Sequence, residues 1–563
     1  METTDKVSCS IIVELLEKHG VKHVVLSPGS RNAPLIVAVA RCDELHKTVV
    51  VDERSAAFIA LGIASVSGQA VALVCTSGTA LLNYAPAIAE AYYRRLPLIV
   101  ISADRPVEWI DQDDSQTLRQ HEALANYVKR SYNIPSDCST ATARWYVNRI
   151  VNDALLTAAT GRKSPVHINV QIDEPLNGVA ERIARNERSI GMISYENGIS
   201  RKDMESLAKQ IKFARKVLVI AGFHHPDKRL DKALAAMSCL SNVSVMSESI
   251  ANFRSRGEII RCIDRTLSVM SDEEKQKMVP DIVITFGGAL VSRHVKQYMR
   301  RFKPCQHWHV GVSDTTIDCF CSLTMRIEVE PEDFFDQLVP LLDMKSQGFY
   351  SGQWQEINCR AVTSHNRYVS CAPWSDLVAL SYIFGHVPEK WNLQLSNGTV
   401  IRYAQLFADY VFNRCDCNRG VSGIDGCTST AIGASLVYDG VTLLITGDMS
   451  AQYDIGALAS NVLSPRFKMI VMCNGGGGIF RFINSTSSLP ELEKYFEVKP
   501  NLPLKNLAEG YGFAYFEASD LAGLATSMPA FVNENRSPSI LAVYTPAETS
   551  AQVLKGYFER DKT

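Results

Sequence analysis

The stretch LLITGDMSAQYD, residues 443–454, is aliphatic up to Ile445 and stops at Gly447, where Asp448 follows among small residues. A short apolar run ending this way reads as a buried strand whose carboxyl end delivers a carboxylate into a loop. The same design recurs along the chain. HVVLSPGS (23–30), AVALVCTSGT (70–79), PLIVISADRP (97–106) and PVHINVQIDEP (165–175) are apolar runs that each end in a small or polar loop. Between them NAPLIVAVARC (32–42), SAAFIALGIASVSG (55–68) and ALLNYAPAIAEAYYRR (80–95) carry helical patterns. Strand and helix in alternation imply a doubly wound parallel sheet, which binds ligands beyond the carboxyl ends of its strands. SPGSR, TSGTA and SADRP fall at those ends.

A polar stretch, IGMISYENGIS (190–200), then separates a second set of strands: KVLVIAGF, VSVMSES, DIVITFGGAL and QHWHVGV. A weaker break near 345–356 precedes a third set: NLQLSNG, TLLITGD, FKMIVMCNGG and SILAVYT. The expected architecture is therefore α/β, with three doubly wound parallel-sheet domains at 1–189, 201–344 and 357–563. Such domains account for the length at ordinary domain sizes.

Composition narrows the classes. The formal charge is −2 in 563 residues, without the basic excess of a nucleic-acid binder. No uninterrupted apolar run reaches membrane-spanning length. The opening METTDKVSCSIIVELLEKHG has the pattern of an amphipathic helix with charges throughout, unlike a signal peptide. Fifteen cysteines without framework spacing fit reduced thiols in a cytoplasmic protein. The Cys319/Cys321 and Cys415/Cys417 pairs are expected as small buried hydrophobes. His224-His225 and the histidines of His307-Trp308-His309 are expected as ordinary turn and strand residues rather than ligands.

Asp448 has two readings. It caps the helix that starts near Ser450, or it meets a cation. MIVMCNGGGGIF supplies Asn474 at a second strand end soon after, and its glycines let backbone carbonyls approach closely. Carboxylate, amide oxygen and carbonyl make a hard oxygen set suited to Mg²⁺ shared with phosphate oxygens. Gly-Asp followed some 25 residues later by Asn resembles the thiamin-diphosphate motif, although Met449 stands where a third glycine is usual and Cys473 where a first asparagine is. The resemblance implies Asp448, Asn474 and the Gly476 carbonyl as metal ligands, with Mn²⁺ as an alternative to Mg²⁺. That cofactor needs a carboxylic acid beside N1′ of its pyrimidine, so that N4′ can remove the C2 proton. Glu53, in VVVDERSAAFIALGIA, is the candidate; a surface turn explains the letters as well.

Taken together, LSPGSRNAPL, DERSAAFIALGIA, TSGTALLN, SADRP, NRGVSGIDG and GDMSAQYD resemble the 2-succinyl-5-enolpyruvyl-6-hydroxy-3-cyclohexene-1-carboxylate synthases, thiamin enzymes of menaquinone biosynthesis. The resemblance implies decarboxylation of 2-oxoglutarate and 1,4-addition of the remaining unit to isochorismate. It implies cofactor contacts at Thr79, Asn397, Ser422, Ile424, Asp448, Ser450, Asn474, Gly476, Ile479 and Phe480, with Ile424 beneath the thiazolium. Both substrates are dicarboxylates, which guanidinium groups bind bidentately. Arg402 and Arg419 are implied for the 2-oxoglutarate side, and Ser30, Arg31, Arg105 and Gln116 for isochorismate. Arg293, followed by His294, stands where the family usually has a lysine. A homodimer or homotetramer is implied, with each site shared between subunits. The rivals are an acetolactate synthase or 2-oxo acid decarboxylase, for which so many arginines have no use, and a non-catalytic αβ nucleotide-binding protein, for which Glu53 has none.

Overall fold

The computed structural model describes residues 2–181, 187–193, 198–255, 258–342 and 348–560, so parts of both expected linkers and the boundary at 344 lie outside the described residues. Three six-stranded parallel sheets organise the chain. The first contains β1 (His23–Leu26), β2 (His46–Val49), β3 (Val71–Cys75), β4 (Leu98–Asp104), β5 (Ser131–Ile134) and β6 (Val166–Gln171). The second contains β7 (Val217–Ala221), β8 (Val243–Ser247), β9 (Ile259–Ile260), β10 (Ile282–Phe286), β11 (Gln306–Val310) and β12 (Met325–Ile327). The third contains β13 (Asn392–Leu395), β14 (Arg414–Cys417), β15 (Thr442–Gly447), β16 (Phe467–Cys473), β17 (Ala514–Ala518) and β18 (Ser539–Tyr544).

The first and third sheets share one strand order, β2-β1-β3-β4-β6-β5 and β14-β13-β15-β16-β18-β17. The second differs, running β9-β8-β7-β10-β11-β12, the order of dinucleotide-binding sheets. Each order reverses beside its first strand, and the loops at that point are the ligand-binding ones. In the first sheet these are SPGSR after β1 and TSGTA after β3; in the third, SNG after β13 and GDMS after β15. Half of these strands are buried at every residue, the central ones of the first and second sheets among them, as sheets covered on both faces require.

The helices that carry site residues are α1 (Glu53–Ser67), α2 (Thr79–Asn83), α3 (Arg293–Arg301), α4 (Pro331–Leu338), α5 (Cys427–Val437) and α6 (Asp448–Tyr453). α1 starts at an Asp52 cap and ends at Gly68 with φ of 68°. It packs on α5 with backbone against backbone. A Cβ at Gly62 would lie 2.0 Å from the Thr430 carbonyl oxygen, and one at Gly433 would lie 2.0 Å from that of Ile59.

Two compact units result. One joins Met1–Ser194 with Gly420–Thr442 and Tyr453–Phe467; the other holds Tyr195–Arg419, Leu443–Gln452 and Lys468–Thr563. None of the fifteen cysteines is joined in a disulfide. Among the described residues no helix is long and apolar enough to cross a membrane.

Candidate active site

In the first unit, Glu53 opens α1 but does not cap it. Asp52 performs that task, accepting from the Arg54 and Ser55 amides (3.0 and 3.5 Å) and the Ser55 hydroxyl (2.8 Å). Arg54 turns to the Tyr453 carbonyl at 3.1 Å and towards the buried Asp454 carboxylate at 3.8 Å. The half-buried Glu53 side chain is thereby left for another use. Its charge is felt by the buried Cys75 thiol and Tyr84 phenol, both pushed up chiefly by burial and secondarily by carboxylate or thiol neighbours. Glu53 therefore lies near the carboxyl end of β3, where Cys75 stands.

The TSGTA loop is shaped for close approach. Gly78 has φ of 83° and donates its amide to the Gln120 side chain at 2.7 Å, placing Thr79 at the start of α2. Gln116 has an unusual positive φ of 58° for a residue with a Cβ, and it packs beside Gly78. Arg31 is buried, its guanidinium donating to the Ile172 carbonyl (3.0 Å) and Glu174 (3.3 Å). Arg105 reaches Asp114 at 2.7 Å. Asp104, which the letters alone did not single out, lies between these groups. It accepts from the Arg105 amide and from Asn169, and burial raises its pKa to about 6 against the pull of Arg31. The Ser30 carbonyl accepts from the Ala33 amide at 3.1 Å in the turn that leads into the following helix.

The SGIDG loop is held by Glu90, whose carboxylate accepts from the Gly420 and Val421 amides at 2.8 and 2.6 Å. Ser422 adopts φ of 68°. Ile424 is 37 % exposed, so packing into the core does not account for an isoleucine there.

In the second unit, Asp448 is buried. One carboxylate oxygen accepts from the Gly475 and Gly476 amides (2.9 and 3.0 Å), the other from Met449 (2.8 Å). Burial raises its pKa most, Asp376 adds to that, and backbone amides oppose it. The Asn474 amide nitrogen donates to Asp376 at 2.9 Å, so its oxygen end is the one turned away from that carboxylate. Gly476 has φ of 89°, and a Cβ there would lie 2.7 Å from the Glu497 and Val498 carbonyls. A buried carboxylate eased only by amides, next to an oriented amide oxygen, fits a hard divalent cation. Ser450 is buried in α6, while Ile479 and Phe480 are half-buried just beyond the glycines.

The arginines of this unit act on one another. Burial, then Arg293 and Arg419, lower the Arg402 pKa to about 10, with Asp264 the opposing influence. The Nε atoms of Arg402 and Arg419 are buried with no hydrogen-bond partner among the described residues. Asn397 holds Arg419, its amide oxygen accepting from the guanidinium at 2.9 Å while its nitrogen donates to the Asn418 carbonyl at 2.6 Å. Two groups were not apparent from the letters. Lys296, one turn along α3 from Arg293, donates to the Leu290 carbonyl at 2.7 Å and shares the field of Glu248 and Arg419. Glu248, fully buried, accepts from the Val291 and Ser292 amides (2.8 and 2.7 Å), fixing the loop that leads into Arg293. His294 lies 3.3 Å from Asp264.

Three doubly wound, six-stranded parallel sheets of this kind are the architecture of a thiamin-diphosphate enzyme. Residues 9–124 match the family model described as the thiamine pyrophosphate enzyme, N-terminal TPP binding domain. A 2-succinyl-5-enolpyruvyl-6-hydroxy-3-cyclohexene-1-carboxylate synthase of Porphyromonas gingivalis is 41 % identical over 564 residues, covering 99 % of this chain and 97 % of that protein. Proteins of the same name from Flavobacterium psychrophilum and Flavobacterium johnsoniae are 38 % and 35 % identical, each over 97 % of this chain and 98 % of their own lengths. The chain belongs to this synthase family.

Proposed function

We propose that this enzyme decarboxylates 2-oxoglutarate and adds the remaining four-carbon unit to isochorismate, yielding the product for which its family is named. The observation that carries this reading is the grouping of half-buried Lys296, Arg402 and Arg419 with the exposed Arg293, set against the carboxylates of Glu248 and Asp264, with the Arg402 and Arg419 Nε atoms buried. Guanidinium groups with unmet Nε donors are costly to bury unless an anion completes them. A dicarboxylate does so; a monocarboxylate such as pyruvate leaves charge uncompensated.

Bound thiamin diphosphate would supply the electron sink that lets carbon dioxide leave and the new carbon–carbon bond form. Asp448, Asn474 and the Gly476 carbonyl would hold Mg²⁺ or Mn²⁺ against its diphosphate. Glu53 would exchange a proton at N1′, and Ile424 would support the thiazolium. Thr79, Asn397, Ser422, Ser450, Ile479 and Phe480 would line the cofactor. Arg402 and Arg419 take the substrate carboxylates, Asn397 orienting Arg419, with Arg293 and Lys296 adding charge. Ser30, Arg31, Arg105 and Gln116 would face isochorismate. The domain limits 1–189, 201–344 and 357–563, each enclosing one sheet, belong to the same proposal, as do an assembly of at least two chains and a cytoplasmic location. The test is Arg402→Met: KM for 2-oxoglutarate should rise at least tenfold, with little change in cofactor affinity. An unchanged preference for 2-oxoglutarate over pyruvate in the variant counts against the assignment.

A further inference from the structure

We propose that His224, His225 and Glu332 form a site for a divalent transition-metal ion of the zinc type, distinct from the oxygen set at Asp448. The two histidines follow β7, and Glu332 lies in the first turn of α4. The histidines lie in the loop beyond the carboxyl end of β7, and α4 follows β12 of the same sheet. Their ligand atoms lie within 4.8 Å of one another. Glu332 Oε1 is 3.3 Å from His225 Nε2 and 3.7 Å from His224 Nε2. Tetrahedral zinc with bonds of about 2.0–2.1 Å places its ligand atoms roughly 3.3 Å apart. The two carboxylate contacts are at or near that separation, and no pair of ligand atoms exceeds 4.8 Å.

Hydrogen bonding prepares the set. His224 Nδ1 lies 2.8 Å from the His225 carbonyl oxygen, which can only accept, so the proton sits on Nδ1. In the neutral ring Nε2 then carries a lone pair, the arrangement that outer-shell carbonyls impose on metal-binding histidines. That lone pair faces a carboxylate oxygen, an acceptor against an acceptor, which a cation between them would resolve. Glu332 is only 9 % exposed, and its Oε2 is buried with no hydrogen-bond partner among the described residues. Nearby charges are committed elsewhere. Arg229 binds Asp333 and Asp336, both at 2.7 Å, and the Asp227 side chain accepts from the Leu230 amide at 2.8 Å. The imidazoles are stacked, 4.4 Å between centroids, and His224 is fixed through Ile250 and Asn252. His225, exposed, leaves the site open to solvent. A bulky ligand is excluded at the neighbouring sheet crevice, because the Gly288 amide donates to the Phe223 carbonyl at 2.7 Å across it.

Two nitrogens and a carboxylate with an open position select Zn²⁺, Co²⁺ or Ni²⁺ over Mg²⁺. The test titrates Co²⁺ and then Zn²⁺ into the chelator-treated protein in excess Mg²⁺, comparing wild type with His225→Ala and Glu332→Gln. The expected result is one Co²⁺ per chain with visible d–d bands and no thiolate charge-transfer band, displaced by Zn²⁺, with affinity at least tenfold weaker in both variants. Zn²⁺ should also raise the thermal midpoint of the wild type and not of the variants. A thiolate spectrum, or equal affinity in the variants, overturns the proposal. So does lack of stoichiometric binding, which would leave His225 and Glu332 as an ion pair.

Discussion

Replacing Gly433 with alanine is expected to damage both stability and catalysis, although alanine is the better helix former. The new Cβ would lie 2.0 Å from the Ile59 carbonyl oxygen and 2.7 Å from its carbon. A comfortable C···O approach is about 3.3 Å, so α1 and α5 must part by roughly 1.3 Å. No rotamer change relieves the clash, because the atoms met are backbone. Overpacking of this kind costs about 1–3 kcal/mol, of which helix propensity returns about 1 kcal/mol. Ile59 and Glu53 share α1, and a misplacement on the order of 1 Å in a reacting group lowers rates by about 10²-fold. Urea unfolding measures the first effect, and carbon dioxide release at saturating cofactor the second. Gly352→Ala serves as control, since nothing lies within 4 Å of a Cβ there and it should be neutral or slightly stabilising. If Gly433→Ala matches wild type in both assays, the close helix crossing does not set the position of Glu53.

Asp448→Ala should abolish Mg²⁺-dependent binding of thiamin diphosphate by calorimetry; unchanged affinity would remove Asp448 from the metal site. Glu53→Gln should lower turnover by about 10²- to 10⁴-fold with modest change in cofactor affinity. Survival of both C2 proton exchange and carbon dioxide release in that variant would make Glu53 a loop residue. Burial lifts Glu248 from 4.5 to about 7, against its amide donors and Arg419, with Asp264 adding to the rise. A raised carboxyl pKa contributes stability that is present below about 4.5 and lost as pH rises through about 7. Unfolding free energy of the wild type minus that of Glu248→Gln should therefore fall across this window, and a flat difference would refute the assignment.

The strands and their loops were legible because buried parallel strands leave apolar runs that end abruptly. Their order was not, since crossover connections leave no mark of which strands pair. Asp448 and Asn474 were visible by spacing, but Asp376, which orients Asn474, was not. In SDLVAL it has the letters of a helix start, and its partner lies 98 residues away. Lys296 was hidden in the charged run RHVKQYMRR, where only the helical turn shows that it joins Arg293. Glu248 ends a strand run, where a polar letter reads as solvent exposure; the fold instead buries it on two amides. His224 and His225 look like turn residues until α4 brings Glu332 against them from more than 100 positions away.

The most direct measurement is release of labelled carbon dioxide from carboxyl-labelled 2-oxoglutarate, with Mg²⁺ and thiamin diphosphate, in the presence and absence of isochorismate. Fast release that depends on isochorismate, with one carbon dioxide per adduct formed, is the predicted result. Release from pyruvate in preference to 2-oxoglutarate, or release from 2-oxoglutarate that isochorismate neither accelerates nor converts into an adduct, would contradict the account.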